Sequence, residues 1–376
     1  MIKVTYIISN IDKAPFFENT FRLIDKSKFE ISVILLNAKG SNLEDFLSAE
    51  GIYCKRILYR GTKDYPKAIF GMFSLLRKIR PDIVHAHLID AGVLGLFAAF
   101  LARIRNRIYT RHGGSQRIYL QKGVKHDKAT DKLATHIIAT CENVKQILID
   151  EENVPAKKIS IINLAFETKR FQYPDPGILA ELKQKYNPRN RGPVVGVISR
   201  WVEWKGIQYI LPAYRKFLEK YPNALLILAN TNGNYTPVLK EMVSEFKPEE
   251  ITLIPFEKNL YELYQVFDYF VHVPIGKPFE AFGQIYIESL VAGIPSVFTM
   301  TGIAPEIIQN GYNALVVDYK NSDQIYEALE MLVKNPQLRQ QLIENGKKSI
   351  EGRFTFEEYI KATEQLYIDK SRRGNE

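Results

Sequence analysis

Short β-rich apolar runs recur along the chain and alternate with longer stretches of helical periodicity. In the first half the runs are Val4–Ser9, Ile31–Leu36, Ile83–Ala86, Ile108–Thr110, Ile137–Ala139 and Ile159–Ile162. Strands buried on both faces read as unbroken apolar runs, and strands separated by amphipathic helices pair in parallel. The pattern therefore predicts a doubly wound parallel sheet. From Glu167 to Pro193 the chain turns polar and rich in Pro, Gly, Asn and Arg, which reads as a domain linker. The alternation restarts at Pro193-Val-Val-Gly-Val-Ile-Ser, and further strands are expected near Ala224–Leu228, Ile251–Ile254, Tyr269–Val273, Ser296–Thr299 and Ala314–Val317. A final periodic stretch, Phe356–Ile368, can pack on either half. The predicted organisation is an α/β chain with a first domain over residues 1–170, a linker over 171–192, a second domain over 193–355 and a C-terminal helix over 356–376, with the first domain as one partner for that helix.

A chain of 376 residues with 46% hydrophobic and 25% charged residues is too long for one compact core, which agrees with two domains. The longest apolar run, Gly92 to Ala102, falls well short of the roughly 20 residues a membrane-spanning helix needs and is expected as a buried helix. The N-terminus, Met1-Ile-Lys-Val-Thr-Tyr-Ile-Ile-Ser, reads as a first strand and lacks the pattern of a secretory signal, so a cytoplasmic protein is expected. Cys54 and Cys141 lie far apart, which suggests neither a disulfide framework nor a zinc site.

Charge changes the picture. Residues 1–170 hold 28 Lys and Arg against 17 Asp and Glu, whereas the remainder holds 23 against 25, so the first half carries the whole formal excess of +9. The densest stretch runs from Arg103 to Lys132 through Arg105, Arg107, Arg111, Arg117, Lys122, Lys125 and Lys128. Such a cluster is either a solvated face or a field for an anionic partner: a phospholipid surface at the inner face of the cell membrane, or an acidic or diphosphate-linked acceptor. No nucleic-acid motif accompanies it.

In open parallel sheets ligands bind beyond the carboxyl ends of the strands, so chemistry is expected in the strand-to-helix loops, where the two domains face each other across a cleft. The segment Pro278-Phe-Glu-Ala-Phe-Gly-Gln-Ile-Tyr-Ile-Glu-Ser places Glu280 before a glycine turn and Glu288 inside the following helix. Gly283 permits close backbone approach, and the first amides of that helix, at Gln284, form an anion site for a phosphate. Glu288 can accept from the hydroxyls of a ribose; otherwise it is a solvated face residue and Glu280 a helix-start charge. The loop Arg200-Trp-Val-Glu-Trp-Lys205-Gly206 supplies two cations of the kind a diphosphate needs, with Trp201 and Trp204 either packing the loop or stacking on a ligand. In the first half, His85 and His87 share a strand face without an obvious third metal ligand. His85 is expected to be structural, and His112, followed by Gly-Gly-Ser115, is the better candidate for contact with a reacting sugar.

These residues resemble the large retaining glycosyltransferase family numbered four, with its architecture of two Rossmann-like domains called GT-B, and the likeness spans nearly the whole chain. Its E-x7-E motif is met by Glu280 and Glu288 with Phe282-Gly283 between them. Its paired basic residues on the donor diphosphate are matched by Arg200 and Lys205, and its active-site histidine by His112. The resemblance implies that Glu280 lies by the donor sugar and Glu288 binds the nucleotide ribose, with Phe282, Gly283 and Gln284 lining the nucleotide site. One departure concerns the loop after the first strand, Asn10-Ile-Asp-Lys-Ala-Pro-Phe-Phe-Glu18, which lacks the family's glycines and carries Asp12 and Glu18 instead. That loop is expected to shape acceptor choice differently.

The implied reaction moves a sugar from a UDP- or GDP-sugar to an acceptor such as a lipid-linked or cell-surface glycan precursor, with retention of configuration. With no D-x-D sequence present, Arg200 and Lys205 stand in for a metal, and no cofactor is expected. The rival readings are a sugar-nucleotide epimerase and a catalytically silent sugar-nucleotide or glycan-binding protein.

Overall fold

The computed structural model describes residues 1–114 and 121–372, the side chains of 121–125 excepted. The chain divides into two compact units, Met1–Phe166 joined by Phe354–Glu376, and Glu167–Arg353.

The first unit is built on a parallel sheet of β1 (Ile2–Ser9), β2 (Phe29–Asn37), β3 (Tyr53–Leu58), β4 (Ile83–His87), β5 (Asn106–Arg111), β6 (His136–Ala139) and β7 (Ile159–Ile161). Their order is β3-β2-β1-β4-β5-β6-β7, so the sheet grows outward in both directions from β1 and β4. Val4 pairs with Ile83 and Ile2 with Phe29 across these central strands. The sequence pattern missed β3. Tyr53-Cys-Lys-Arg-Ile-Leu sits at an edge and is mostly open to water, so it lacks the apolar run that marks the inner strands. The final helix, Phe356–Arg372, belongs to this unit: Tyr359, Ile360, Leu366 and Tyr367 join Val4, Tyr6, Phe21 and Val33 in one core.

The apolar run at 92–102 is buried on one side only. A π turn over Ala91–Gly95 leads into the helix Leu96–Leu101, whose Leu96, Ala98 and Ala99 are buried while Phe97, Phe100 and Leu101 face solvent. No described helix is long and apolar enough to cross a membrane.

The second unit carries β8 (Val194–Ile198), β9 (Leu225–Ala229), β10 (Ile251–Ile254), β11 (Tyr269–His272), β12 (Ser296–Phe298) and β13 (Leu315–Val316) in a parallel sheet of order β10-β9-β8-β11-β12-β13. The reversal of strand order lies between β8 and β11, and the loops leaving those two strands are the ones that carry the predicted chemistry. Residues 171–192, expected as a linker, instead hold the helix Pro176–Tyr186. Asp175 caps it by accepting from Gly177 and Ile178 amides at 2.8 and 3.1 Å, and Pro176 occupies the first turn, both ordinary helix-start signals within a polar composition. Leu182 and Tyr186 are buried, and the Tyr186 hydroxyl donates to Glu257 at 2.6 Å, which ties the helix into the second unit.

Candidate active site

In the second unit β8 ends at Ile198, and the chain runs through Arg200 and a single turn over Glu203–Lys205 into the helix Ile207–Lys220. The turn depends on Gly206. Its φ is +78°, and a Cβ there would lie 2.0 Å from the Val273 carbonyl oxygen. That close approach joins the loop after β8 to the loop after β11, as does the hydrogen bond from the Ile275 amide to the Trp204 carbonyl at 3.0 Å.

Glu280 lies in extended backbone beyond β11, followed by Gly283 at φ +78° and the helix Gln284–Ala292, which no described side chain caps. Tyr286 anchors the start of that helix by donating to the Thr299 carbonyl at 3.0 Å and sharing a 2.7 Å bond with the Thr301 hydroxyl. Two of the predicted residues meet directly, since Lys205 Nζ is 2.5 Å from Glu280 Oε2. His272, the last residue of β11, approaches the same carboxylate oxygen through Nε2 at 3.2 Å. Burial alone would raise the Glu280 carboxyl, but the Lys205 ammonium and His272 hold it down to about 2. Burial lowers the His272 pKa, against the pull of Glu280. Sequence reasoning missed His272, although a histidine at the carboxyl end of a strand beside the switch point was the available signal.

Glu288 lies inside the helix and is buried, so the solvated-face alternative does not hold. The Tyr264 hydroxyl donates to its Oε2 at 2.9 Å, and burial pushes the carboxyl up to about 7. Arg200 is exposed, in the same loop as Lys205. Phe282 is buried, and its carbonyl accepts from the Ile303 amide at 2.8 Å, so its side chain is core rather than ligand surface. Gln284 is exposed at the first helical position. Trp201 is also core, packed with Val195, Ile207 and Leu228, which settles its role as packing.

In the first unit His85 is structural, as expected. Its Nδ1 bonds to the Tyr367 hydroxyl at 2.5 Å and its Nε2 to the Thr110 hydroxyl at 2.7 Å. His87 instead bonds through Nδ1 to His112 Nε2 at 3.0 Å, while its own Nε2 is buried without a partner among the described residues. A buried ring nitrogen without an acceptor is cheaper as a bare lone pair than as an N–H, so the proton on His87 belongs on Nδ1 and is donated to His112. His112 then carries its proton on Nδ1. Burial lowers the His112 pKa to about 4, so the ring is neutral near pH 7. It lines a cavity of about 420 Å³ with Asn10, Asp90, Tyr109 and Asp127. Ser115 lies outside the described residues.

The two acids of the loop after β1 do not face that cavity. Asp12 accepts from the Asn42 amide and side chain, each at 3.0 Å, and Glu18 accepts from the Ala14 amide at 3.4 Å at the start of a helix. Both are occupied in holding the loop, whereas Asn10 and Asp90, bonded at 2.8 Å, lie on the cavity wall. Part of the basic stretch is also internal. Arg111 is buried between Asp127 and Glu152, at 2.8 Å from each, and Arg107 donates to the carbonyls of Leu133 and Ile104. Arg117 lies outside the described residues, as do the side chains of Lys122 and Lys125. Among the described residues no group of three or more His, Cys, Asp or Glu is placed to hold a metal ion.

The family description "Glycosyl transferases group 1" matches residues 180–349, and "Glycosyltransferase Family 4" matches residues 18–170. The chain is 24% identical over 377 residues to the capsular polysaccharide biosynthesis glycosyltransferase CapM of Staphylococcus aureus, covering 97% of this chain and 96% of that one. It is 22% identical over 384 residues to the UDP-Gal:alpha-D-GlcNAc-diphosphoundecaprenol alpha-1,3-galactosyltransferase of Escherichia coli, covering 98% and 96%. Among solved structures, HepE of Anabaena in complex with UDP and glucose superposes with a TM-score of 0.81 at 17% identity, over 97% of this chain and 99% of that one. The two matched descriptions lie end to end on the two parallel sheets, and the chain belongs to the group 1, family 4 glycosyltransferases of GT-B fold.

Proposed function

We propose that this glycosyltransferase moves a sugar from a UDP- or GDP-sugar, without metal and with retention, onto a lipid-linked or cell-surface glycan precursor at the cytoplasmic face of the membrane. The observation that carries the donor side is the contact of Lys205 with Glu280 beside an uncapped helix start. Lys205 and Arg200 take the diphosphate, Gly283 and Gln284 offer main-chain amides to it, Glu288 accepts from the ribose, and Glu280 serves the donor sugar. The capsular polysaccharide and diphosphoundecaprenol relatives support the acceptor class.

In the proposed step the bond between the sugar's anomeric carbon and the diphosphate oxygen breaks, and its electron pair leaves on the diphosphate. The acceptor oxygen bonds to the anomeric carbon on the same face, and its proton passes to the departing phosphate oxygen. The cations and helix amides stabilise the charge that grows there. His112, held by His87, acts as a neutral donor toward the reacting sugar rather than as an acid. A thermal-shift panel of nucleotide sugars selects the donor, since a ligand at 100 times its dissociation constant adds about 2.7 kcal/mol of stability. Transfer with that donor to a polyprenyl-diphosphate sugar in excess EDTA, with the new linkage read by NMR, tests the rest. An inverted linkage, or loss of turnover in EDTA, refutes this mechanism.

A further inference from the structure

A surface of the first unit combines exposed aromatic side chains with arginines in a way the sheet does not explain. The helix Leu96–Leu101 is apolar all round yet packs on the sheet from one side, leaving Phe100 53%, Leu101 45% and Phe97 38% exposed. These positions, spaced three and four apart, share one helix face. Across from them on the helix Tyr65–Ile79, Phe70 is 72% exposed, and together with Pro66, Ile69, Phe73 and Leu101 it lines an apolar groove of about 390 Å³. A solvated helix normally turns polar residues outward, so four large apolar side chains on adjoining faces mark a contact surface.

The charge around the groove says what covers it. The C-terminal end of Tyr65–Ile79 and the loop after Leu96–Leu101 bound a second hollow, of about 520 Å³, lined by Arg77, Arg80, Arg103, Arg105 and Arg372. Residues 60–107 hold nine Lys and Arg against three Asp. The three acids are engaged: Asp64 accepts from the Arg60 amide, Asp82 from the Lys3 amide and Asp90 from Asn10. The Arg107 guanidinium stacks over the Phe100 ring at 5.6 Å, which steadies one aromatic at the boundary of the two regions. Apolar side chains for the acyl boundary beside arginines for phosphate headgroups are the two halves of an interfacial membrane contact.

We propose that this face, with Phe70, Phe97, Phe100 and Leu101 inserted and Arg77, Arg80 and Arg103 on the headgroups, docks the protein on an anionic bilayer. The proposal deepens the membrane setting given above and rests on it for its sense, but its test contains neither donor nor acceptor, so the two can fail separately. The full chain is sedimented with vesicles of phosphatidylglycerol and phosphatidylcholine, and with vesicles of phosphatidylcholine alone. Wild type is expected on the mixed vesicles and not on the neutral ones. The exposed-site variants Phe70→Ser with Phe100→Ser, and Arg77→Glu with Arg103→Glu, are each expected to lower the partition coefficient at least tenfold while keeping the wild-type melting temperature and nucleotide binding. Undiminished partitioning of either variant overturns the proposal, as does absence of binding to mixed vesicles. A vesicle-indifferent dimer dispersed by the Phe70→Ser change also overturns it and assigns the face to a second copy of the chain.

Discussion

Replacing Lys205 with methionine isolates the charge at the centre of the candidate site. The stem is kept and only the ammonium is lost, leaving the Glu280 carboxylate, 14% exposed, with His272 still beside it. In the wild type the Glu280 carboxyl is held at about 2 against an ordinary value near 4.5. At 1.36 kcal/mol per unit that depression corresponds to about 3 kcal/mol of stability at pH 7, an order-of-magnitude figure. Because the folded value is the lower one, this stability is fully present above pH 4.5 and is lost as pH falls toward 2. In Lys205→Met the burial that already pushes upward prevails, and the carboxyl can escape only by binding a proton. At pH 7 that escape costs about 3 kcal/mol, the distance from 4.5 to 7, and it adds to the stabilisation already lost. The variant's deficit should therefore lie between about 3 and about 7 kcal/mol at pH 7 and should shrink toward pH 5, where protonation is cheaper. Adding Glu280→Gln removes the stranded charge and should restore most of the stability, while transfer stays down by about 10²-fold or more because the proposed diphosphate site has lost a cation. Urea denaturation at pH 5 and 7, with turnover of the selected nucleotide sugar, reads both quantities. Wild-type turnover by Lys205→Met, or a double variant that regains activity along with stability, would refute the reasoning.

Other outcomes follow from individual contacts. The Glu288 carboxyl is raised to about 7 by burial, so it withdraws stability as pH climbs from 4.5 through 7; Glu288→Gln should remove that slope, gaining up to about 3 kcal/mol at pH 8, and should weaken nucleotide binding about tenfold or more in calorimetry. Gly206→Ala forces a side chain into positive φ and onto the Val273 carbonyl, which should cost about 3 kcal/mol or more and abolish donor binding, read by denaturation and thermal shift. With its pKa near 4, His112 should leave no imprint on the pH–rate profile between 6 and 8; a rate that falls below pH 6.5 in wild type but not in His112→Gln would contradict its neutral role.

The sheets were legible because their inner strands are buried on both faces: Val33-Ile-Leu-Leu in β2 and Leu225-Leu-Ile-Leu in β9 leave no polar period to confuse the reading. The edge strand β3 was not, since half of its surroundings is water and Lys55 and Arg56 cost nothing there. Glu280 and Lys205 were legible as loop residues on strands flanking the switch point, but their 2.5 Å contact depends on Gly206 bringing two loops within touching distance, which local pattern does not encode. The parts played by Asp12 and Glu18 were not legible, because a carboxylate that accepts from nearby amides and one that meets a ligand look alike in sequence. Arg111 was misplaced for the same reason: its partners Asp127 and Glu152 lie 16 and 41 residues away, and a run of basic residues gives no sign of which one is buried.

The two carboxylates of the loop-and-helix segment show why spacing alone could not divide their labour. Both are largely withdrawn from water, so desolvation pushes both toward the neutral form. Glu280 is offered an ammonium and an imidazole and stays an anion near 2, whereas Glu288 is offered one phenol and sits near 7. Opposite displacements of neighbouring acids are the usual mark of different tasks. A permanently ionised Glu280 holds Lys205 in place, so under the proposed donor reading the cation would meet a diphosphate without first being ordered. A carboxyl poised near neutrality gains its charge when hydroxyl donors reach it. Under the proposed assignment of the ribose to Glu288, nucleotide binding should therefore release a proton, a release that calorimetry in buffers of different ionisation enthalpy detects at pH 6.5 and that Glu288→Gln eliminates.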